Sequence, residues 1–227
     1  MTISLEEITE RADALYAARE QSENVRASIE FLQEAAATTS DDYELAWRLG
    51  RALFFLGQEA QQEEEARVYH ASGAKASATA ARQSPGRVEG HFWLGVNLAL
   101  LARLENPFHA LRHVLRARRE LLRAVRIDPG YHGAGPLRVL GRLQHQLPRL
   151  VGGSTKRARA NFERAIEIAP ANPVTRIYFA EMLLENGATD QARTHLEAIL
   201  NLTDDPAWAF EIKRDQRLAR EVLKSIR

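Results

Sequence analysis

Three short stretches share one signature: Trp47-Arg48-Leu49-Gly50, Phe92-Trp93-Leu94-Gly95 and Val139-Leu140-Gly141. In each, an aromatic or apolar residue leads into Leu-Gly, and a Leu or Gln follows three residues after the glycine. The surrounding sequence is rich in Ala, Leu, Arg and Glu, which are strong helix formers. We therefore expect each Leu-Gly signature to lie on a helix, with the glycine allowing a neighbouring helix to approach closely.

A second pattern alternates with the Leu-Gly signature. Its copies are Ala117, Leu121, Ala124 and Pro129; Ala158, Phe162, Ala165 and Pro170; and Ala192, Leu196 and Ile199. This spacing predicts a helix with a small-large-small stripe on one face, which proline then ends. The alternation of the two patterns resembles the tetratricopeptide repeat, whose period is about 34 residues.

The hydrophobic periodicity predicts eleven helices. They are expected near residues 4–19, 22–38, 41–57, 61–83, 87–104, 107–127, 133–147, 154–169, 172–186, 188–201 and 206–226. The predicted fold is a single all-α domain over 1–227, a tetratricopeptide-like right-handed helical solenoid.

Within this solenoid, we expect residues 1–40 to form an N-terminal capping helix pair and residues 41–202 to form the repeats. Insertions are expected near 103–110 and 147–154. Residues 203–227 are the expected C-terminal capping helix. Its predicted buried face consists of Trp208, Ile212, Leu218, Val222 and Ile226.

Composition excludes several classes of protein. The chain of 227 residues is 45% apolar, which is enough for a substantial core, and it has no cysteine for a disulfide or a thiolate nucleophile. Its first residues lack the basic and apolar regions of a signal peptide, and no uncharged apolar run reaches the roughly 18–20 residues of a membrane span. The sequence predicts a cytoplasmic protein as given, or a periplasmic one if an export leader has been removed.

The net charge of +1 hides an internal asymmetry. Residues 1–102 carry 9 basic and 16 acidic side chains, whereas residues 103–165 carry 14 basic and 4 acidic ones. Either the middle segment binds an anionic ligand or acidic peptide, or its arginines form a solvated helix face. That face would comprise Arg112, Arg116, Arg119, Arg123 and Arg126. Nucleic acid is disfavoured because aromatic residues do not alternate with the basic ones.

A more particular stretch is DPGYHGAGPLRVLGRL at residues 128–143, followed by Leu147-Pro148 and Gly152-Gly153-Ser154. From about Gly73 to Leu200 the chain resembles the bacterial T-component proteins of tripartite TRAP-type transporters. It is similar, more loosely, to the regulator-of-microtubule-dynamics group. The resemblance implies a helical repeat with an enclosed groove, self-association as a homo-oligomer, and binding of a small anionic ligand or a periplasmic substrate-binding protein.

In tetratricopeptide stacks the first helix of each pair lines the groove. Residues flanking the Leu-Gly positions are therefore expected to contact a partner; they are Trp47, Arg51, Phe92, Arg138, Arg142 and His145. The arginines would hold a carboxylate or phosphate through paired hydrogen bonds, and the aromatic residues would cover an apolar part. The alternative is that the aromatic residues belong to the core between repeats and the arginines are only solvated.

Two further motifs suggest chemistry only weakly. His109 and His113 have the spacing of two metal ligands on a helix, but no third ligand accompanies them. Residues 152–156 are similar to a phosphate loop but lack the Walker spacing, so Ser154 is interpreted as a helix N-cap. With no catalytic residue, metal or cofactor predicted, the sequence favours a non-enzymatic scaffold for a peptide or protein partner. The alternative is a component related to the TRAP T-components, which would bind either a small ligand or a substrate-binding protein.

Overall fold

The structure, a computed structural model, describes residues 4–38, 42–203 and 205–226. Over these ranges it contains eleven α-helices, two short 3₁₀ turns and no strand, which confirms the predicted all-α class and helix number. The helices are α1 (Leu5–Ala17), α2 (Ser22–Thr38), α3 (Tyr43–Glu59), α4 (Glu63–Gln83), α5 (Val88–Leu101), α6 (Pro107–Ile127), α7 (Tyr131–Gln146), α8 (Thr155–Ile168), α9 (Pro173–Glu185), α10 (Thr189–Leu200) and α11 (Ala209–Ser225). The 3₁₀ turns, Ala102–Leu104 and Arg149–Val151, lie at the two predicted insertions.

Several helices begin at polar residues that cap free backbone N–H groups. Ser4 forms a capping box with Glu7, and the Asp42 carboxylate accepts from the amides of residues 44 and 45. Asn106, Ser154 and Asn172 cap α6, α8 and α9 in the same way. The cap at Ser154 confirms the interpretation made from the sequence. These caps fix the helix starts because a capping oxygen satisfies a donor that has no partner within the helix.

The helices pack as two compact units, Met1–Asp128 and Pro129–Arg227. In the first unit α1 pairs with α2, α3 with α4, and α5 with α6. In the second unit α7 pairs with α8 and α9 with α10, and α11 packs on α9 and α10. The organisation as one continuous domain with capping segments stays a prediction.

The glycines of the Leu-Gly signature face the second helix of their own pair. A Cβ added at Gly50 would lie 2.0 Å from Oγ of Ser77, and one added at Gly95 would lie 2.7 Å from Cγ of Leu121. At Gly141 the added Cβ would meet the Phe162 ring at 3.0 Å. The predicted close approach is thus present in three helix pairs.

The small-large-small stripes form the other half of these contacts. Ala117, Leu121 and Ala124 are fully buried in α6, as are Ala158, Phe162 and Ala165 in α8. The α10 residues Ala192, Leu196 and Ile199 are buried in the core of the second unit together with Phe162 and residues of α9. The second helices therefore present this stripe to the core, as the spacing predicts.

The capping helix α11 departs from its predicted register. Ile212 is buried, and Val222 and Ile226 pack against the core of the second unit, but Leu218 is exposed. Ala219 and Asp215 take the buried positions instead. The aspartate is tolerated because Nε of Arg214 donates to its carboxylate at 2.7 Å.

Candidate functional site

One face of the first helices carries charged residues at corresponding positions. The residue that follows the packing glycine is Arg51 in α3 and Arg142 in α7. The buried alanines Ala12 in α1 and Ala180 in α9 are likewise followed by charged residues, Asp13 and Glu181. We call these charged residues, with the side chains that contact them, the first-helix face of each unit: Asp13 and Arg51 in the first unit, and Arg142 and Glu181 in the second.

In the first unit, this face is a network of opposite charges between successive first helices. Asp13 of α1 accepts from Arg51 at 2.5 Å and from Arg48 at 2.9 Å. Glu44 then pairs with Arg48 at 2.6 Å and with Arg87, just before α5, at 2.5 Å. The two acids thus join α1, α3 and the start of α5.

An aromatic side chain lies within this network. Trp47 is 8% exposed and donates from Nε1 to Glu44 at 2.9 Å. The guanidinium of Arg48 lies 4.3 Å from its ring centroid and that of Arg51 lies 5.0 Å away. Arg51 also stacks on Tyr16 at 4.0 Å. The structure therefore brings Trp47 and Arg51 together, each held in position by a charged or aromatic neighbour.

The second unit repeats the arrangement with the charges reversed. Arg142 of α7 forms an ion pair with Glu181 of α9 and lies 4.6 Å from the Tyr178 ring. One turn further along α7, Nε2 of His145 contacts the Glu185 carboxylate at 2.9 Å. Arg142 and His145 therefore lie together and bridge to the next first helix.

Phe92 does not lie on the first-helix face. Its side chain is 1% exposed and packs on Trp93 with ring centroids 4.8 Å apart. Most residues of α5 are buried, so this helix is surrounded by others and has no free apolar face. Phe92 is a buried residue that offers almost no surface to a partner.

Arg138 is also buried, and it holds a strained turn. His132, Gly133 and Ala134 have φ values of 51°, 60° and 57°, a left-handed conformation that costs energy for residues with a Cβ. Arg138 donates to the carbonyl of Gly133 at 2.8 Å and to Oδ1 of Asn172 at 3.3 Å. Burial lowers the pKa of Arg138 to about 10, which leaves it charged at neutral pH. Its hydrogen bonds connect the turn at the start of α7 with the N-cap residue of α9.

The carboxylates of the first-helix face are the residues that inspection of the sequence missed. Arg51 lies 38 residues from Asp13, Arg142 lies 39 from Glu181, and the separation between His145 and its acid is 40. These separations are close to one repeat period. A search for opposite charges about one repeat apart would have found all three pairs.

The loop before α8 is not an open anion site. The amide of Gly152 donates to Arg149, that of Gly153 to Pro148, and that of Ser154 to Gln144. Because all three N–H groups are used within the chain, they are not free to bind an anion, in agreement with the interpretation of Ser154 as a helix N-cap. Over residues 4–38, 42–203 and 205–226, no group of three or more His, Asp or Glu residues is placed to hold a metal ion.

A separate cavity of about 350 Å³ lies in the first unit between α2, α3 and α4. Its floor is formed by Leu45, Leu49 and Leu53 of α3. Lys75 of α4 and Gln33 of α2 contribute polar groups at its border. Five of the eleven residues that line the cavity are polar, so its lining is mixed, although its volume lies in the range of small-molecule sites.

The lowered pKa of Glu44 makes stability depend on pH. Burial acts to raise the pKa of Glu44, but hydrogen bonds from Trp47, Arg48 and Arg87 hold it below its ordinary value of 4.5. A carboxyl group with a lowered folded pKa stabilises the fold above its unfolded pKa, and this contribution is lost as pH falls through the folded pKa. We therefore expect the urea concentration at the unfolding midpoint to decrease as the pH is lowered below about 4.5. This decrease should be smaller in Glu44→Gln.

The control for this pH dependence is Glu34→Gln, at an exposed position of α2. It should retain the wild-type pH profile. A Glu44→Gln profile that coincides with that of the wild type would show that the network does not couple to folding.

Sequence comparison identifies two family models along the chain. The model of regulator of microtubule dynamics protein 1-3 matches residues 8–150, and a tetratricopeptide repeat model matches residues 152–209. No curated protein matches the sequence significantly. The TRAP-transporter alternative gains no support from these matches.

Solved structures show the same fold. TTC0263, a thermophilic TPR protein of Thermus thermophilus, superimposes with a TM-score of 0.70 at 19% identity, covering 94% of this chain and 99% of that one. MamA gives a TM-score of 0.55 at 12% identity, with 96% and 99% coverage. At these identities the likeness establishes the tetratricopeptide-type helical solenoid and nothing about ligands.

None of the described helices is both long enough and apolar enough to cross a membrane. The matched residues 8–150 make up more than half of the 227-residue sequence. The chain belongs to the regulator of microtubule dynamics protein 1-3 family.

Proposed function

We propose that the protein is a non-catalytic scaffold that binds a peptide or protein partner on its first-helix face. The observation that carries this proposal is the recurrence of charged and aromatic residues on the first helices of both units. Tetratricopeptide folds suit such a role, because stacked helix pairs present extended surfaces to a partner. Of the residues predicted from the sequence, Trp47, Arg51, Arg142 and His145 remain in the proposed site.

Two of these residues have unsatisfied polar atoms. Nε of Arg51 and Nδ1 of His145 are buried and have no hydrogen-bond partner among the residues that the structure describes. Buried polar atoms without partners are uncommon, and a bound chain would supply the missing hydrogen bonds by shifting these two side chains outward. Both lie beside exposed or half-exposed carboxylates, so a partner meets both signs of charge there.

The charge arrangement restricts the kind of partner. Arg51 and Arg142 already contact Asp13 and Glu181, so an anionic ligand has to compete with an internal carboxylate. A peptide backbone or a segment with both acidic and basic side chains can insert into the pairs without leaving a charge unpaired. We therefore propose a polypeptide partner rather than a simple anion for this face.

The family name associates its members with the regulation of microtubule dynamics, which makes polymerised tubulin the first defined partner to test. We expect the protein to co-sediment with purified microtubules and Arg51→Glu/Arg142→Glu to co-sediment less. Arg82→Glu/Arg164→Glu is the matched control, since both arginines are exposed on second helices.

Site-specific photo-crosslinking in the native host would identify other polypeptide partners. A crosslinking amino acid at position 51 or 142 is expected to capture one recurring polypeptide, and the same probe at positions 82 and 164 is not. Equal capture at all four positions would contradict the proposed face.

The small-ligand alternative is favoured by one observation, the cavity beneath α2 and α4. Native mass spectrometry of the gently purified protein tests it. A retained small mass that is lost on Leu49→Trp, which fills the cavity, would support that alternative instead of the scaffold.

A further inference from the structure

Helix α6 has a row of arginines on its solvent side. Arg112, Arg116, Arg119, Arg123 and Arg126 are all exposed and recur at spacings of three and four residues, which places them on one side of a helix. We call them the α6 arginine row. From the sequence alone, such a row either binds an anionic partner or is only solvated.

Beside this row lies a second exposed feature, the α6 apolar stripe. It consists of Phe108, Leu111, Leu115 and Leu122, which are 74%, 41%, 48% and 37% exposed. Their spacing of three, four and seven residues also places them on one side of the helix. The stripe extends over about 21 Å, at 1.5 Å per residue.

Neither feature is needed to pack α6 into the first unit. The core side of the helix is a different set of residues: Val114, Ala117, Leu121 and Ala124. Glu120, the acid of this helix, also points inward, where it contacts Nδ1 of His91 at 2.7 Å. The solvent side of α6 consequently carries arginines and no carboxylate.

The α6 arginines differ from those of the first-helix face in their partners. Arg48, Arg51 and Arg87 are all ion-paired. Over the described ranges no ion pair is formed by any arginine of the α6 row. Like charges at such spacings repel each other, so the uncompensated row creates a positive field that an acidic partner would relieve.

We propose that α6 is a second docking surface, which binds an acidic amphipathic helix of a partner protein. The partner's apolar side would cover the α6 apolar stripe, and glutamate or aspartate residues on its flank would pair with the α6 arginine row. The helix-on-helix contact requires apolar residues at spacings of three and four and a charged flank, and α6 supplies both. This surface is separate from the first-helix face and does not depend on it.

The form of the stripe favours a helix over a membrane or a nucleic acid. Three of the four stripe residues are less than half exposed, so they form a shallow surface against which another helix packs, and only Phe108 at the start of α6 protrudes as a bilayer-inserting residue does. A nucleic acid would use the arginines but leave the leucines uncovered, because stacking requires aromatic residues. Charge and apolar surface together fit an acidic helix.

Fluorescence anisotropy with a defined probe tests the proposal. The probe is a labelled helical peptide of about 18 residues with leucines three and four apart and glutamates on the flanks. We expect binding that weakens with salt. We also expect a loss of about tenfold or more both in Arg112→Glu/Arg116→Glu/Arg119→Glu and in Leu111→Ser/Leu115→Ser.

The matched control carries the same charge change elsewhere, in Arg164→Glu/Arg217→Glu/Arg220→Glu, and should bind the peptide as the wild type does. Circular dichroism verifies that every variant is folded. Each of four binding results would overturn the proposal: no binding by the wild type, equal loss in the control, equal affinity for a glutamate-only peptide, or stronger binding to phosphatidylserine vesicles. Self-association that the α6 variants abolish would assign the surface to a second copy and also overturn it.

Discussion

Replacing Phe162 with alanine is expected to lower the free energy of unfolding of the second unit by about 3–5 kcal/mol. The ring is fully buried, stacks on Phe179 with centroids 5.6 Å apart, and fills the space above Gly141. Removing it leaves a cavity at the contact that joins α7, α8 and α9. The loss of buried apolar area and the cavity both destabilise this unit.

Urea denaturation followed by the fluorescence of Trp208, the tryptophan of the second unit, measures this effect. Phe108→Ala is the matched control, since that ring is 74% exposed and should change stability by less than about 0.5 kcal/mol. Equal effects of the two substitutions would contradict the packing described for the repeat.

Asn97→Leu is expected to destabilise the first unit by about 3 kcal/mol or more. The side chain is completely buried and connects three helices. Its Nδ2 donates to the carbonyls of Gly50 at 3.0 Å and Trp93 at 2.9 Å, and its Oδ1 lies 3.3 Å from Nδ1 of His70. Leucine has a similar volume but leaves these polar groups without partners.

A double-mutant cycle with His70→Leu isolates the polar coupling in the asparagine network. If Asn97 and His70 act as one unit, the double variant should be less destabilised than the sum of the two single variants. Additive effects would show that the two side chains contribute independently, which contradicts the network.

The repeat fold was predictable because its determinants are local in sequence. Gly50 and Ser77 lie within a single helix pair, as do Gly141 and Phe162. The spacing of small and large residues that forms each contact can therefore be recognised in a short stretch of sequence. Leu218 shows the limit of this reasoning. At about 3.6 residues per turn Leu218 lies away from the side of α11 shared by Ile212, Val222 and Ile226. Asp215 and Ala219 lie on that side and are buried.

The site was only partly predictable, for two physical reasons. Phe92 lies on a helix buried nearly all round, so its position relative to the Leu-Gly signature does not place it at a surface. Arg138 is recruited by the left-handed turn at residues 132–134, whose backbone conformation the sequence does not reveal. Arg51 and Arg142 could each be assigned to the exposed side of a first helix because each follows a packing glycine directly.

The charged residues are arranged differently on the first-helix face and on α6. On the first-helix face each basic group is matched by a carboxylate about one repeat away, so the local charge is neutralised. On α6 the arginine row has no such partner over the described ranges. The positive excess of residues 103–165 therefore includes a continuous exposed surface, not only scattered solvated side chains.

The most direct test of partner binding on the first-helix face is hydrogen–deuterium exchange of the protein alone and bound to the polypeptide captured at position 51 or 142. The proposal predicts slower exchange in α3, α7 and α9, with little change in the second helices α4, α8 and α10. Slower exchange confined to α4, α8 and α10, with α3, α7 and α9 unchanged, would contradict it.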